Sequence, residues 1–234
     1  MRKRARRGFT LLEMMTVLAI IGITAAMAIP QMRQAQANGR LRGLARDTAN
    51  VFHLARQRAI TTGNNHVVYF SSSAGPQDLC TNPFPLDPTT GAAYPILLVD
   101  DGPPGPASNC CIDANEIVWQ VPPQQGVRWG VTAGIPAFDD DGGTGNHTLG
   151  NTFTLPGGGQ AHAVLFRPDG VPVAVGAACA SGQVGSGTGG VYVTNNQAPA
   201  ASGRNYSIVL SPLGGVKVYA WDQGMNGGVG AWTN

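Results

Sequence analysis

Charged side chains are scarce in this sequence, and basic ones are almost absent from its second part. Charged residues make up 12% of the 234 residues. Beyond Asn64 the chain has four lysine and arginine residues against 11 acidic ones. Proteins that bind nucleic acids through phosphate contacts need clustered basic groups. The acidic balance therefore argues against nucleic-acid binding, and we expect no nucleic acid among the partners.

Motifs for catalysis and for cofactor binding are also missing. The four histidines show neither metal-ligand spacing nor a neighbouring nucleophile motif; they are His53, His66, His147 and His162. Structural roles for these histidines are therefore favoured over catalytic ones. We predict that the protein is not an enzyme and that it has no cofactor.

Cysteine is rare, and all four cysteines follow Asn64. None of them shows the Cys-x-x-Cys spacing, which disfavours a zinc site. An even number in an oxidising compartment predicts two disulfides. Cys110 and Cys111 are adjacent and are not expected to bond to each other, so each would pair with Cys80 or with Cys179. Both of these pairings remain open at this point.

One long apolar run is present, from Phe9 to Ile29, and five basic residues precede it. The run contains a single charge, Glu13. An apolar helix of about 20 residues can cross a bilayer core of about 30 Å. Flanking basic residues stay on the cytoplasmic side. We predict a membrane-spanning helix over residues 9–30, with everything after Pro30 on the outer side.

The start of this run resembles the class III (prepilin) signal of type IV pilins and type II secretion pseudopilins. The resemblance rests on the sequence Arg7-Gly8-Phe9-Thr10-Leu11-Leu12-Glu13. It implies that a prepilin peptidase removes residues 1–8 by cleaving after Gly8, and that the new N-terminal residue, Phe9, is methylated. It also implies that Glu13 acts in filament assembly and that residues 9–30 later form part of a filament core.

This segment has two other interpretations. An ordinary secretory signal would be cleaved after the apolar run, where residues 26–30 offer a loose match, and a plain membrane anchor would not be cleaved. Neither explains Gly8 and Phe9 followed by Glu13. A tolerated interfacial position is the alternative for Glu13, because a carboxylate is costly at membrane depth and marks a functional site by default.

The helix is expected to continue past Pro30, which should kink or locally open it because proline lacks an N–H. Residues 31–64 form the predicted amphipathic part. Its apolar positions recur at helical spacing and are Leu41, Leu44, Thr48, Val51, Phe52, Ala55 and Ala59. Gly63 supplies the predicted end of the helix.

From residue 65 onward, short β-prone runs alternate with turn-rich stretches. The predicted fold is α+β and pilin-like, with a long N-terminal helix packed on an antiparallel β-sheet domain. Residues 65–234 form the head, with an insertion near 73–115. Residues 223–228 are predicted to be flexible, and Trp232 is placed in the same loose tail. The predicted strands are 66–72, 96–99, 116–121, 127–132, 163–167, 190–194, 206–211 and 216–221.

Three passages resemble FimT/GspH-type minor pilins and pseudopilins. They are residues 54–70, the turn Phe166-Arg167-Pro168-Asp169-Gly170, and residues 206–218. The basic C-terminal residues of DNA-binding members are missing, since residues 220–234 contain no lysine or arginine. The resemblance implies a minor pilin of a type IV pilus, a low-copy structural subunit that helps initiate filament assembly and sits near the tip.

The same resemblance leaves two alternatives, a minor pseudopilin of a type II secretion system and a tip adhesin or DNA-binding receptor. The implied partners are the prepilin peptidase, other minor pilins, the major pilin and the inner-membrane assembly platform. The implied location is the inner membrane with a periplasmic head, and then the pilus tip at the cell surface.

An acidic loop, Asp139-Asp140-Asp141, is a weak candidate for calcium binding. Clustered carboxylates in a flexible loop suit a hard cation. The loop lacks the alternating spacing and the terminal glutamate of an EF-hand. A solvated acidic loop is therefore favoured over a calcium site.

Overall fold

A computed structural model describes residues 9–70, 78–105, 108–113, 115–132, 134–138, 150–155, 158–161, 163–176, 179, 182, 184, 186–195, 204–222 and 230–234. The elements in these ranges are α1 (Leu11–Thr62), β1 (His66–Phe70), β2 (Ile96–Asp100), β3 (Ile117–Val121), β4 (Val127–Trp129), β5 (Ala163–Phe166), β6 (Pro172–Val175), β7 (Gly189–Asn195), β8 (Asn205–Leu210), β9 (Val216–Asp222) and β10 (Ala231–Thr233).

The strands form two antiparallel sheets of five strands each. Sheet 1 has the order β3-β2-β1-β5-β6, and sheet 2 has the order β10-β9-β8-β7-β4. One long apolar helix followed by antiparallel sheets confirms the predicted α+β, pilin-like architecture. The division into two sheets is new, because the predicted strands were assigned to a single sheet domain.

The chain divides into two compact units, Met1–Gln36 and Ala37–Asn234. In the first unit the large apolar side chains of α1 are exposed, from 46% at Val17 to 78% at Leu11. Among the described residues, α1 is the one helix that is long and apolar enough to cross a membrane, with a mean hydropathy of 2.1 over an 18-residue window. Length and composition thus fit the predicted membrane anchor.

In the second unit, α1 buries one side and exposes the other. All seven positions predicted from helical spacing are buried, and Ala37, Ala45 and Ala49 extend the same side. The arginines between them, Arg40, Arg42 and Arg46, are exposed. Hydrophobic burial of this side therefore explains why the segment stays helical despite two internal glycines.

The buried side of α1 packs against apolar residues from both sheets in one core. Phe52 lies at its centre, with ring centroids 6.5 Å from Phe153 and 6.3 Å from Phe166. Sheet 1 contributes residues such as Val68, and sheet 2 contributes residues such as Ile208. The helix is thus the element that the two sheets share.

The other side of sheet 1 is covered by the segment predicted as an insertion. We call its described residues outside β2, which are 78–95, 101–105, 108–113 and 115, the lobe. Phe84 and Cys110 of the lobe are buried against Tyr69, Leu97 and other outward residues of β1, β2, β5 and β6. Tyr69 and Phe84 meet edge to face with centroids 6.0 Å apart. Strands β1, β2, β5 and β6 are therefore buried on both sides, which accounts for their mainly apolar sequences.

The C-terminal end corrects one prediction. Residues 231–233 form β10, which pairs with β9, so Trp232 does not belong to a loose tail. Its ring meets Trp221 and Tyr192 at centroid distances of 5.4 and 5.7 Å, and its Nε1–H donates to the carbonyl of Pro136 at 3.1 Å. Aromatic burial orders this end despite its glycine content. The predicted flexible residues 223–228 lie outside the described residues.

A second strand, β6, is also missing from the predictions. It begins at Pro172, which pairs with Phe166 of β5 at the edge of sheet 1. Proline within a short apolar run argues against a central strand, but it is compatible with an edge or with the first position of a strand. Both conditions hold here.

Two turns contact α1 closely. The turn between β5 and β6 contains Gly170 at φ +76°, and the turn between β8 and β9 contains Gly214 at φ +78°. A Cβ added to Gly170 would lie 2.7 Å from Cδ1 of Ile60, and one added to Gly214 would lie 3.0 Å from the carbonyl oxygen of Gly170. Only glycine satisfies both the backbone conformation and the available space.

We predict that Gly170→Ala lowers the free energy of unfolding by about 1 to 3 kcal/mol, because alanine is strained at this φ. An Ile60→Ala background removes the clash between the added Cβ and the side chain of Ile60. The loss of unfolding free energy should then shrink to the contribution of the strained φ at residue 170. Urea unfolding of the detergent-solubilised chain measures both values.

Gly39→Ala is the matched control. Gly39 lies within α1, and a Cβ added to it would meet no atom within 4 Å, so alanine should stabilise the chain by about 1 kcal/mol. Equal stability of Gly170→Ala and wild type would contradict the account of this turn.

Candidate functional site

The N-terminal segment begins α1 with a side-chain cap. The N–H of Glu13 donates to Oγ1 of Thr10 at 3.2 Å. Thr10 directly precedes the first helical residue, so it occupies the N-cap position with Glu13 at the third helical position. This cap is absent from our predictions, although Thr-x-x-Glu before an apolar run is its sequence signature. A carboxylate here is also favoured by the helix dipole.

Glu13 is the one charged group on an otherwise apolar stretch of α1. It is exposed, as are Phe9 and Leu12 beside it. No described residue forms an ion pair with its carboxylate. The geometry thus presents a single unpaired carboxylate on a surface that a membrane or neighbouring helices would cover.

Gly8 and Pro30 are the other two residues of this segment that the sequence singled out. Gly8 lies outside the described residues. α1 is continuous through Pro30, and the predicted kink or local opening there stays a prediction.

The three passages on which the FimT/GspH resemblance rests meet at one place on the head. Arg56 and Ile60 of α1 lie under Gly170, and Gly214 lies beside Arg56 and Gly170. Nη1 of Arg56 donates to the carbonyl of Gly214 at 3.4 Å. The resemblance therefore reflects one packed contact between the end of α1 and two turns.

Asp78 organises one end of the lobe. It is 6% exposed, and its carboxylate accepts hydrogen bonds from the N–H groups of Cys80, Asn82 and Ile112 at 2.9, 2.7 and 2.8 Å. These bonds compensate the burial of the charge. They also bring the two chain segments together beside a disulfide between Cys80 and Cys111.

Asp101 has the same role at the other end. It is 1% exposed and accepts hydrogen bonds from the N–H of Cys110 at 2.8 Å and from the hydroxyl of Ser108. Burial raises the pKa of Asp101, and these hydrogen bonds oppose the rise. The hydroxyl of Tyr69 donates to the carbonyl of Cys110. Burial, followed by the nearby carboxylates, raises the pKa of Tyr69.

The structure selects one of the two disulfide pairings that the sequence left open. Cys80 is joined to Cys111, and Cys110 is joined to Cys179. The sulfurs of Cys110 and Cys179 lie close to a carboxylate oxygen of Asp101. Because both sulfurs are held in a disulfide, they are not thiolate ligands, and this group is not a metal site. The acidic loop at 139–141 lies outside the described residues.

Two of the four histidines lie in described ranges. His53 is exposed on α1, and His66 is fully buried at the start of β1. Nε2 of His66 lies 3.8 Å from Oδ2 of Asp100 and has no hydrogen-bond partner. Burial lowers the pKa of His66, and the charge of Asp100 opposes that shift. His147 and His162 lie outside the described residues.

Comparison with known proteins adds sequence relatives. Residues 3–29 match the family model described as the prokaryotic N-terminal methylation motif. The type IV major pilin protein PilA of Myxococcus xanthus is 32% identical over 149 residues, which cover 55% of this chain and 64% of PilA. Two fimbrial proteins of Pseudomonas aeruginosa are 40% identical over 75 residues, which cover 32% of this chain and 46% of each relative.

The chain therefore spans less than two thirds of the length of these curated relatives. No solved structure matches it.

We predict that stability falls as the pH falls below about 6.5, the ordinary pKa of histidine, because His66 resists protonation when folded and accepts a proton when unfolded. His66→Gln should therefore lose less stability than wild type between pH 7.5 and pH 5.5. Thermal unfolding in detergent at the two pH values measures the difference.

His53→Gln is the control, and its loss should equal that of wild type because His53 is exposed. Folding raises the pKa values of Asp101 and Glu116, so these two groups increase stability as the pH falls. They do so equally in wild type and in both variants, so they do not change the comparison. Identical pH dependence of His66→Gln and wild type would contradict the prediction.

Proposed function

We propose that this chain, whose N-terminal methylation motif and homology to type IV pilins confirm the predicted family resemblance, is a minor pilin. It is a type IV pilin-like protein, and its named relatives are structural pilins. In the proposed role it is a low-copy subunit that helps start a type IV pilus and lies near the tip.

One observation supports the minor class in particular. The FimT/GspH-like passages come from three separate parts of the chain, and they pack together around Arg56, Gly170 and Gly214. Short sequence matches whose residues meet in one contact support a head fold shared with FimT/GspH-type proteins better than matches scattered over the surface would. One relative is a major pilin, so the N-terminal similarity alone does not distinguish the classes.

Processing follows from the family. In the proposed sequence of events the prepilin peptidase cleaves after Gly8 and the amine of Phe9 is methylated. The chain then waits in the inner membrane, with its head in the periplasm, until the assembly platform joins it to other minor pilins and the major pilin. The exposed apolar surface of α1 suits both environments, because lipid and neighbouring helices each cover it.

Glu13 supplies the chemistry of assembly in this proposal. Helices packed in a filament remove water and headgroups from around the carboxylate, and an unpaired buried charge is costly. The methylated amine of Phe9 in a neighbouring subunit is a cation of the right sign. Pairing of the two groups offsets the burial cost only in one register, so the carboxylate specifies how subunits align.

We predict that Glu13→Val impairs entry into filaments while membrane insertion stays at the wild-type level, because the apolar run becomes more hydrophobic. Thr16→Val is the matched control, since it replaces a polar side chain three residues away and leaves the carboxylate in place. The measurements are the amount of the chain in membranes and in sheared filaments. Wild-type amounts of Glu13→Val in filaments would exclude this role of the carboxylate.

A second experiment tests the class of the protein. Targeted mass spectrometry of sheared pili should find the chain at a small fraction of the major subunit, and immunogold labelling should mark filament ends. A deletion strain should have fewer pili. Normal piliation together with a loss of protein secretion would instead identify a type II secretion pseudopilin, and labelling along the whole filament would identify a major subunit.

A further inference from the structure

The solvent-exposed side of α1 in the second unit is basic and unpaired. Arg40, Arg42 and Arg46 are exposed, and none of them forms an ion pair with a described residue. Residues 31–62 contain six arginines and one acidic residue, Asp47. An excess of one charge on a helix surface is unfavourable unless solvent or a partner compensates it.

Four residues on this side form a compact patch, which we call the basic face: Gly39, Arg42, Gly43 and Arg46. Arg42 and Arg46 are four residues apart, so they are neighbours on the helix surface. A Cβ added to either glycine would meet no atom within 4 Å. Each glycine weakens the helix by about 1 kcal/mol relative to alanine, and like charges at this spacing weaken it further. No described part of the chain packs on the basic face, so its composition fits contact with another molecule.

The opposite charge is concentrated just past the C-terminal end of α1. Asn64 donates its Nδ2–H to Oδ1 of Asp100 at 2.9 Å. The N–H of Asp100 in turn donates to the carbonyl of Glu116 at 2.9 Å. Asp113 and Glu116 close a turn there, with Asp113 exposed and Glu116 half-buried. We call these last two residues the acidic end.

The acidic end is not neutralised within the described chain. No described lysine or arginine forms an ion pair with Asp113 or Glu116. The nearby imidazole of His66 is fully buried, and its Nε2 has no hydrogen-bond partner. Burial raises the pKa of Glu116, the hydrogen bond from the N–H of Asp113 to its carboxylate opposes the rise, and the charges of neighbouring carboxylates add to it. A cation brought to this place from outside would relieve the repulsion.

The basic face and the acidic end are too far apart to pair within one molecule. Arg46 precedes Thr62, the last residue of α1, by 16 residues. At about 1.5 Å per residue this separation is about 25 Å along α1. Interactions between exposed charges are largely screened beyond about 10 Å at 0.1 M salt. The two patches can therefore neutralise each other only between molecules.

We propose that the basic face is a docking surface for the acidic end of a second copy of this chain. The carboxylates of Asp113 and Glu116 in one copy pair with the guanidinium groups of Arg42 and Arg46 in the other. The two glycines let the partner's turn approach the helix backbone. Planar guanidinium groups suit carboxylate partners because they offer paired donors.

This contact is head to tail, since each copy uses a different surface. Two parallel copies at the same height present basic face to basic face and repel each other. Pairing requires a shift of about 25 Å along the helix. The inference goes beyond the proposed function, because it specifies which surfaces of two copies meet.

The test uses two differently tagged versions of the full chain, co-expressed and extracted in a non-ionic detergent. A photo-crosslinking residue replaces Asn50, which is exposed one turn beyond Arg46. We expect a dimer whose cross-linked peptide contains Asp113 and Glu116, and whose yield falls as the salt concentration rises. A cross-link to lipid, to another protein or to a different part of the second copy overturns the proposal.

Charge reversal supplies the decisive comparison. Arg42→Glu with Arg46→Glu, or Asp113→Lys with Glu116→Lys, should lower the dimer yield about tenfold or more, because like charges then meet. Combining both pairs should restore the yield to within about twofold of wild type, since opposite charges meet again. Loss without restoration, or no loss, overturns the proposal.

Two controls separate this contact from folding and from the pilus. Arg58→Glu with Lys217→Glu makes the same change in net charge as Arg42→Glu with Arg46→Glu, but at exposed positions elsewhere. It should leave the dimer yield unchanged. Non-reducing peptide maps of the variants verify that both disulfides have formed. Because the dimer is measured in detergent, its absence contradicts the docking surface alone, whereas absence from sheared pili contradicts the proposed function.

Discussion

Burial of one side of α1 between Ala37 and Ala59 is the contact on which both sheets depend. Each sheet directs one layer of apolar side chains at the helix, and among the described elements neither sheet has another of comparable size on that side. Phe52 packs against Phe166 of sheet 1 and against Phe153. The turns at Gly170 and Gly214 are fitted to the same helix, so their lack of side chains is a consequence of how closely the sheets approach it.

Local physical rules predicted much of this arrangement from the sequence. Helical spacing identified the buried side of α1, and β-prone runs between turns identified eight of the ten described strands. The rules failed where the deciding contact is distant in sequence. β6 begins with proline and is stabilised by its pairing with β5, while β10 is held by Trp221 and Tyr192. The division into two sheets depends on strand neighbours that no local pattern encodes.

The features of the candidate site likewise fall into those that a local sequence pattern predicts and those that depend on the fold. A short motif with few competing explanations predicted the signal around Phe9 and Glu13. The N-cap by Thr10 lies within the same motif and was not predicted. The disulfide pairing needs the fold of the lobe, because Asp78 and Asp101 gather the backbone around each cysteine pair. Both aspartates are buried and satisfied mainly by N–H groups, so these acidic residues act in folding although the composition suggests only an acidic surface.

Scarcity of charge makes the position of each charged group informative. A surface rich in mixed charges would neutralise itself locally, whereas here Arg42, Arg46, Asp113 and Glu116 stay unpaired within the described chain. The apolar start of α1 needs neighbours because water is a poor solvent for it, whereas the basic face is solvated and offers a charge with which a neighbour of opposite sign can pair. These two interactions are independent. Hydrophobic burial has no preferred direction. Charge pairing does have one, because the two oppositely charged patches lie about 25 Å apart along α1. The hydrophobic demand is met by any packed helix, so it is the charged patches that would specify the axial shift between two copies.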